Sequence, residues 1–269
     1  MFFSQIKRKA DSFLLKRKGI YFNPRTFRES QVVYSQSAPL LLIGLPRSGT
    51  SIAQILLNKI DGLFMSYESI MEPFLFENDS VKLSAFYYES LRQTEHIQKL
   101  QDGESVSIKP PLYQANYTYL GNKSIYSMSK EYKKALDLTI SKGTKVILLT
   151  RESADRISSV LKWHKKRDEL YKNTREKRGE FEQFVQQEHG KSNDFAQTVA
   201  RYKSKANVFC LSYESLVSDI ATFESLCQFL GVDDVDDALD FYKKNVFSAS
   251  IGAQKSAYPV IDEILKRLD

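Results

Sequence analysis

Four short apolar runs lack the polar alternation of a half-solvated strand: Pro39 to Leu45 (PLLLIGL), Ser105 to Ile108 (SVSI), Lys145 to Thr150 (KVILLT) and Asn207 to Ser212 (NVFCLS). They predict strands buried on both faces. Helical periodicity covers Ser51 to Lys59, Ser129 to Ser141, Ala154 to Lys166 and Ile220 to Leu230, the last closed by Gly231. Strands alternating with helices predict right-handed crossovers, hence an α/β fold of three αβα layers around a mostly parallel central sheet. Ligands of such folds sit at the carboxyl ends of the strands.

Outside this pattern, residues 1–38 form a basic, aromatic leader. Its Phe2, Phe3, Ile6, Phe13, Leu14 and Leu15 could share one face of an amphipathic helix, docked on the domain or lying on a membrane surface. Residues 162–194 are the most charged part of the chain, and read as a helical insertion that is either solvated or folded over the sheet as a cover. Residues 39–269 otherwise read as one domain.

Composition narrows the function classes. The chain has 269 residues and a net charge of +6, which favours an anionic ligand or surface without choosing one. Basic and acidic residues are interspersed and no zinc-finger, RRM or KH pattern occurs, which argues against a nucleic-acid module. Two cysteines, Cys210 and Cys227, can build neither a disulfide scaffold nor a four-cysteine zinc site, and are expected as reduced core thiols. No run reaches the roughly 18 apolar residues of a spanning helix. The expected location is the cytoplasm, with peripheral contact at the inner membrane surface open to the leader.

The chemistry concentrates where PLLLIGL meets Pro46-Arg47-Ser48-Gly49-Thr50-Ser51 and an apolar helix. A tight turn from a strand into a helix aims backbone N–H groups and the positive end of the helix dipole at an anion. Gly49 permits close approach, Thr50 and Ser51 bring hydroxyls, and Arg47 brings a planar cationic fork. Gly44 to Gly49 has the glycine spacing of a nucleotide-triphosphatase loop, yet Thr50 stands where the lysine that reaches the β- and γ-phosphates would be. The site is therefore P-loop-like, but suited to a shorter anionic group than a metal-bound triphosphate.

GLPRSGTS resembles the 5′-phosphosulfate loop of sulfotransferases that use 3′-phosphoadenosine 5′-phosphosulfate, most closely those acting on carbohydrate and tyrosylprotein acceptors. KVILLT followed by Arg151, with Ser159 eight positions later, resembles the family's 3′-phosphate site. The segment VFCLSYESLVSDIATFESLCQFLGV is similar to the family's strand, Tyr-Glu-x-Leu and helix, which implies Tyr213 near the nucleotide and Glu214 shaping a turn. The resemblance also implies that a loop carrying Ser250 and Lys255 returns to the 3′-phosphate, and that Lys109, in Ser107-Ile-Lys109-Pro-Pro, contacts the transferring group.

Sulfuryl transfer needs a base, cations on the sulfuryl oxygens and in-line geometry; it needs no metal in principle. Small-phenol members of the family place a histidine shortly after that lysine, whereas this chain has none there, and its three histidines, His96, His164 and His189, lie in charged, solvated-looking surroundings. Glu68, 21 positions after Arg47, falls where the tyrosylprotein enzymes carry their catalytic glutamate. Glu72, four residues on, competes, and repulsion between the two would raise one pKa. The resemblance implies transfer from 3′-phosphoadenosine 5′-phosphosulfate to a hydroxyl acceptor, carbohydrate or glycolipid preferred, with catalytic Arg47, Glu68 and Lys109. The alternatives are a P-loop kinase and a non-catalytic nucleotide-binding or membrane-surface protein of the same fold. A serine hydrolase is excluded by the lack of a G-x-S-x-G elbow.

Overall fold

The computed structural model describes residues 38–66, 96–99, 105–108, 118–163, 177–247 and 259–268. Its centre is a five-stranded, all-parallel sheet of β1 (Ala38–Gly44), β2 (Leu63–Ser66), β5 (Tyr119–Ile125), β6 (Lys145–Thr150) and β7 (Val208–Ser212), in the order β2-β5-β1-β6-β7. Every side chain from Leu40 to Ile43 is at most 1% exposed, as a central strand covered on both faces requires. Leu40 and Leu42 point into one core with Ala53, Leu56 and Leu57 of α1 (Thr50–Leu57), Leu216 of α5 (Tyr213–Ser218), Phe223 and Leu226 of α6 (Ile220–Leu230), and Tyr242 of α7 (Asp236–Tyr242). The intervening Leu41 and Ile43 face the opposite layer.

That layer includes α2 (Lys130–Ser141), α3 (Ser153–Trp163), α4 (Arg178–Tyr202) and α8 (Pro259–Leu265). Ser129 caps α2 by accepting from the Tyr132 N–H at 3.1 Å, and Gly231 ends α6 in the left-handed conformation. Ile157 and Leu161 of α3 pack with Phe181 and Val185 of α4 and Ile261 and Ile264 of α8. Inside this seam Arg156, 1% exposed, donates to the Glu188 carboxylate at 2.9 Å, to its backbone carbonyl at 2.6 Å, and to Ser192 at 3.1 Å. Burial alone would raise the Glu188 pKa, but hydrogen bonds from Lys191 and Arg156 outweigh it and hold the carboxyl below its usual range. Of the charged stretch, Lys162 and Trp163 end α3 and residues 178–194 belong to the packed helix α4; residues 164–176, where the cover reading falls, lie outside the described residues.

Three expectations need correction. Ser105–Ile108 is a strand, β4, but it pairs antiparallel with β3 (His96–Lys99), apart from the parallel sheet, because so short a run carries no information about its partner. Cys210 is exposed on β7, which lies at the sheet edge, while Cys227 is buried, its thiol pushed up to about 11 by burial and then by Glu224. His189 is half-buried on α4, within 3.0 Å of Asn193, rather than freely solvated. Among the described residues no helix is long and apolar enough to cross a membrane.

Candidate active site

The carboxyl ends of β1, β6 and β7 converge on the turn between β1 and α1. Gly44 ends β1 because any side chain there would collide with the Leu149 carbonyl at 2.8 Å and the Thr50 methyl at 2.7 Å. Gly49, at φ 89°, begins α1, and a Cβ on it would meet the Tyr213 ring at 2.2 Å. Both are close-approach glycines. Arg47 has φ 70°, the one non-glycine residue with positive φ among those described, a strained backbone of the kind that functional turns retain. The first turn of α1 holds no acidic side chain and Gly49 provides no side-chain cap, so its N–H groups face an anion site without an internal competitor.

Two arginines meet at this turn. Arg151, immediately after β6, donates to the Arg47 carbonyl at 3.0 Å and lies over the Tyr213 ring at 4.4 Å. Arg47 donates from Nε to the Ser159 hydroxyl at 3.0 Å, with its Cζ 5.8 Å from the centre of the Trp163 ring. Packing of this guanidinium desolvates it, and together with the nearby positive charge of Arg151 this lowers the Arg47 pKa, although Tyr213 opposes the shift. Two like charges held this close create a field that a polyanion would relieve. Glu214, from the start of α5, accepts from the Glu152 N–H at 2.9 Å and so ties the Arg151 turn to β7.

Unsatisfied atoms mark the same place. The Ser48 hydroxyl and the Arg151 Nε are both buried without a hydrogen-bond partner, which a phosphate or sulfuryl oxygen would supply. Below them Lys123, fully buried on β5, donates to the Ser51 hydroxyl at 3.0 Å. The register pairs Lys123 with Leu42, on the face that α1 covers, and this puts an ammonium group directly under the loop that lacks a lysine of its own.

The model for the sulfotransferase domain matches residues 37–259. The chain belongs to the sulfotransferase family. It is accordingly an enzyme of sulfuryl transfer. Among solved structures the chain is similar to mouse sulfotransferase SULT7A1 complexed with PAP, at 17% identity and TM-score 0.47, covering 85% of this chain and 71% of that one. It is also similar to the sulfotransferase domain from the curacin biosynthetic pathway, at 15% identity and TM-score 0.44, covering 86% of this chain and 97% of that one. No curated protein sequence matches it.

Within this sulfotransferase the expected residues Arg47, Ser48, Gly49, Thr50, Ser51, Arg151, Ser159 and Tyr213 gather at one turn. The grouping differs in detail from a simple Arg151 and Ser159 pair: Ser159 meets Arg47, while Arg151 meets the Arg47 backbone and Tyr213. Glu68, Glu72, Lys109, Ser250 and Lys255 lie outside the described residues. Sequence reasoning missed Lys123, because a lysine between Asn122 and Ser124 looks like solvated surface. The usable signal was Ser129: its cap opens a helix, and in an alternating fold a strand must end just before it.

Proposed function

We propose that this enzyme transfers a sulfuryl group from 3′-phosphoadenosine 5′-phosphosulfate to a hydroxyl of a carbohydrate or glycolipid acceptor. The observation that carries the donor assignment is the pair of neighbouring arginines, Arg151 bonded to the Arg47 backbone, beside the buried, unsatisfied Ser48 hydroxyl and Arg151 Nε. A donor with separate 5′- and 3′-anionic groups would match both. Ser48, Gly49, Thr50 and Ser51 hold the 5′-phosphate, and Arg151 with Ser159 recognises the 3′-phosphate, helped by the returning loop of Ser250 and Lys255. Tyr213 supports Arg151 from below.

The donor supplies the activated sulfur. In this reading the Glu68 carboxylate takes the acceptor proton, while the acceptor oxygen bonds to sulfur and the bond from sulfur to the phosphate oxygen breaks. Arg47 and Lys109 stabilise the transferring group, and Lys123 adds a fixed positive charge beneath Ser51. The carbohydrate preference rests on the carboxylate base. In this reading the enzyme acts in the cytoplasm.

The test is calorimetric titration with 3′-phosphoadenosine 5′-phosphate beside adenosine 5′-phosphate and ATP with magnesium. Binding that requires the 3′-phosphate is expected, and preference for magnesium ATP would overturn the reading in favour of a kinase. Glu68→Gln should cut turnover by about a thousandfold while nucleotide affinity stays within about twofold. If Glu72→Gln alone does so, the base is misassigned.

A further inference from the structure

Five large apolar side chains among the described residues are exposed, and two of them, Ile125 (37%) and Met128 (48%), lie in one turn. That turn leaves the carboxyl end of β5 and opens α2 at the Ser129 cap. It is tied down on two sides: the Tyr126 N–H donates to the Gly44 carbonyl at 2.9 Å, and the Tyr126 hydroxyl donates to Asp194 at 2.6 Å. Tyr126 is buried against Phe195, so its exposed neighbours stand on an anchored backbone. Met128 holds the position before the cap, from which an apolar residue ordinarily packs on the fourth residue of the helix. That residue is Lys133, whose ammonium group is taken up by Asp194, so Met128 finds no apolar partner there.

This turn borders the transfer centre. Alternation along β5 puts Ile125 on the same face as Lys123, about 7 Å further towards the carboxyl end, and Lys123 reaches Ser51 of the loop. The register sets Ile125 beside Gly44, where the loop begins. Arg151 and Tyr213 follow β6 and β7, on one side of β1, and β5 lies on the other. In the proposed reaction Arg151 holds the 3′-phosphate, so the leaving phosphate lies towards β6, and in-line attack brings the acceptor from the β5 side. We infer that Ile125 and Met128 form an apolar wall of the acceptor subsite, and that the acceptor is a glycolipid whose alkyl chain lies on them. This rests on the proposed sulfuryl transfer and deepens it by choosing between a free saccharide and a lipid-linked one. Exposed apolar side chains beside a polar centre complement an alkyl group, while the hydroxyls of the sugar stay with the charged loop.

The full-length protein, saturated with 3′-phosphoadenosine 5′-phosphate, is titrated calorimetrically with hexyl β-glucopyranoside, methyl β-glucopyranoside and 1-hexanol. The hexyl glycoside should bind about tenfold or more tightly than either of the others, since each buried methylene contributes about three- to fourfold in affinity. Ile125→Ser/Met128→Ser should bring the hexyl glycoside to within about threefold of the methyl one, with nucleotide affinity unchanged within about twofold. Met128→Ser, outside the sheet, repeats the test if the double variant loses the nucleotide, and should weaken the hexyl glycoside by about fivefold. Equal binding of the two glycosides would make the acceptor a free saccharide and overturn the inference; equal binding of 1-hexanol would make it a simple alcohol and overturn it too. No saturable binding of the hexyl glycoside, or binding that both variants leave unchanged, overturns it as well. Failure of the nucleotide to bind the unaltered protein would instead overturn the donor reading beneath it, so the two failures are distinguishable.

Discussion

At the amino end of the sheet, polar groups close on one another; at the carboxyl end, several wait. Lys145, which opens β6, donates to the Phe229 and Leu230 carbonyls at 2.6 and 3.0 Å, and the Tyr119 hydroxyl, opening β5, donates to the Leu230 carbonyl at 2.7 Å. Asn207, just before β7, donates to the Ile140 and Thr144 carbonyls. The other end holds a strained Arg47, a second guanidinium beside it, and buried Ser48 and Arg151 atoms with no partner. Satisfied hydrogen bonds stabilise the fold, while unsatisfied donors and crowded positive charge cost stability that an anionic ligand returns on binding. One end is built for folding and the other for binding.

If that contrast holds, substitutions should separate stability from affinity. Arg156→Met removes one partner of a buried ion pair and leaves Glu188 charged in the seam, so urea denaturation should show a loss of about 3 kcal/mol, much of it recovered in Arg156→Met/Glu188→Leu. The same pair predicts a pH dependence. The Glu188 pKa is lowered in the folded protein, so its stabilisation is present above the ordinary value of 4.5 and is lost as pH falls through the lower folded pKa, a fall that Glu188→Gln should flatten. Arg151→Ala should weaken 3′-phosphoadenosine 5′-phosphate by about a hundredfold in calorimetry, yet leave the urea midpoint nearly unmoved.

Smaller effects sharpen the comparison. Tyr119→Phe breaks one buried hydrogen bond at the amino end and should cost about 1 kcal/mol of stability without changing nucleotide affinity. Ser48→Ala should do the reverse, weakening the nucleotide a few-fold while leaving the free protein unchanged or more stable by up to about 1 kcal/mol, since it deletes an unsatisfied buried hydroxyl. A destabilised Ser48→Ala would mean that this hydroxyl serves the fold rather than a ligand.

Much of this architecture was legible before folding. Leu40 to Ile43 and Val146 to Leu149 are apolar at every position, which only a strand covered on both faces explains, and Gly231 marks the end of α6 by itself. The loop from Arg47 to Ser51 was legible because close approach to an anion demands glycine and hydroxyl residues at fixed spacing. By contrast β5, YLGNKSI, hid behind Gly121, Asn122 and Lys123, and SVSI looked like a member of the main sheet although it pairs elsewhere.

What the sequence determined by itself was local: the periodicity of each element, the caps, and the chemical types available at each strand end. Only the tertiary structure decided which groups meet. It put the Lys123 ammonium under Ser51, gave Ser159 to Arg47, left Arg151 on Tyr213, and set the Trp163 ring against Arg47. Each of these contacts joins residues on different elements, and their meeting depends on strand order and register. Those follow from the packing of the whole sheet and its helices, which the pattern of any one segment does not contain.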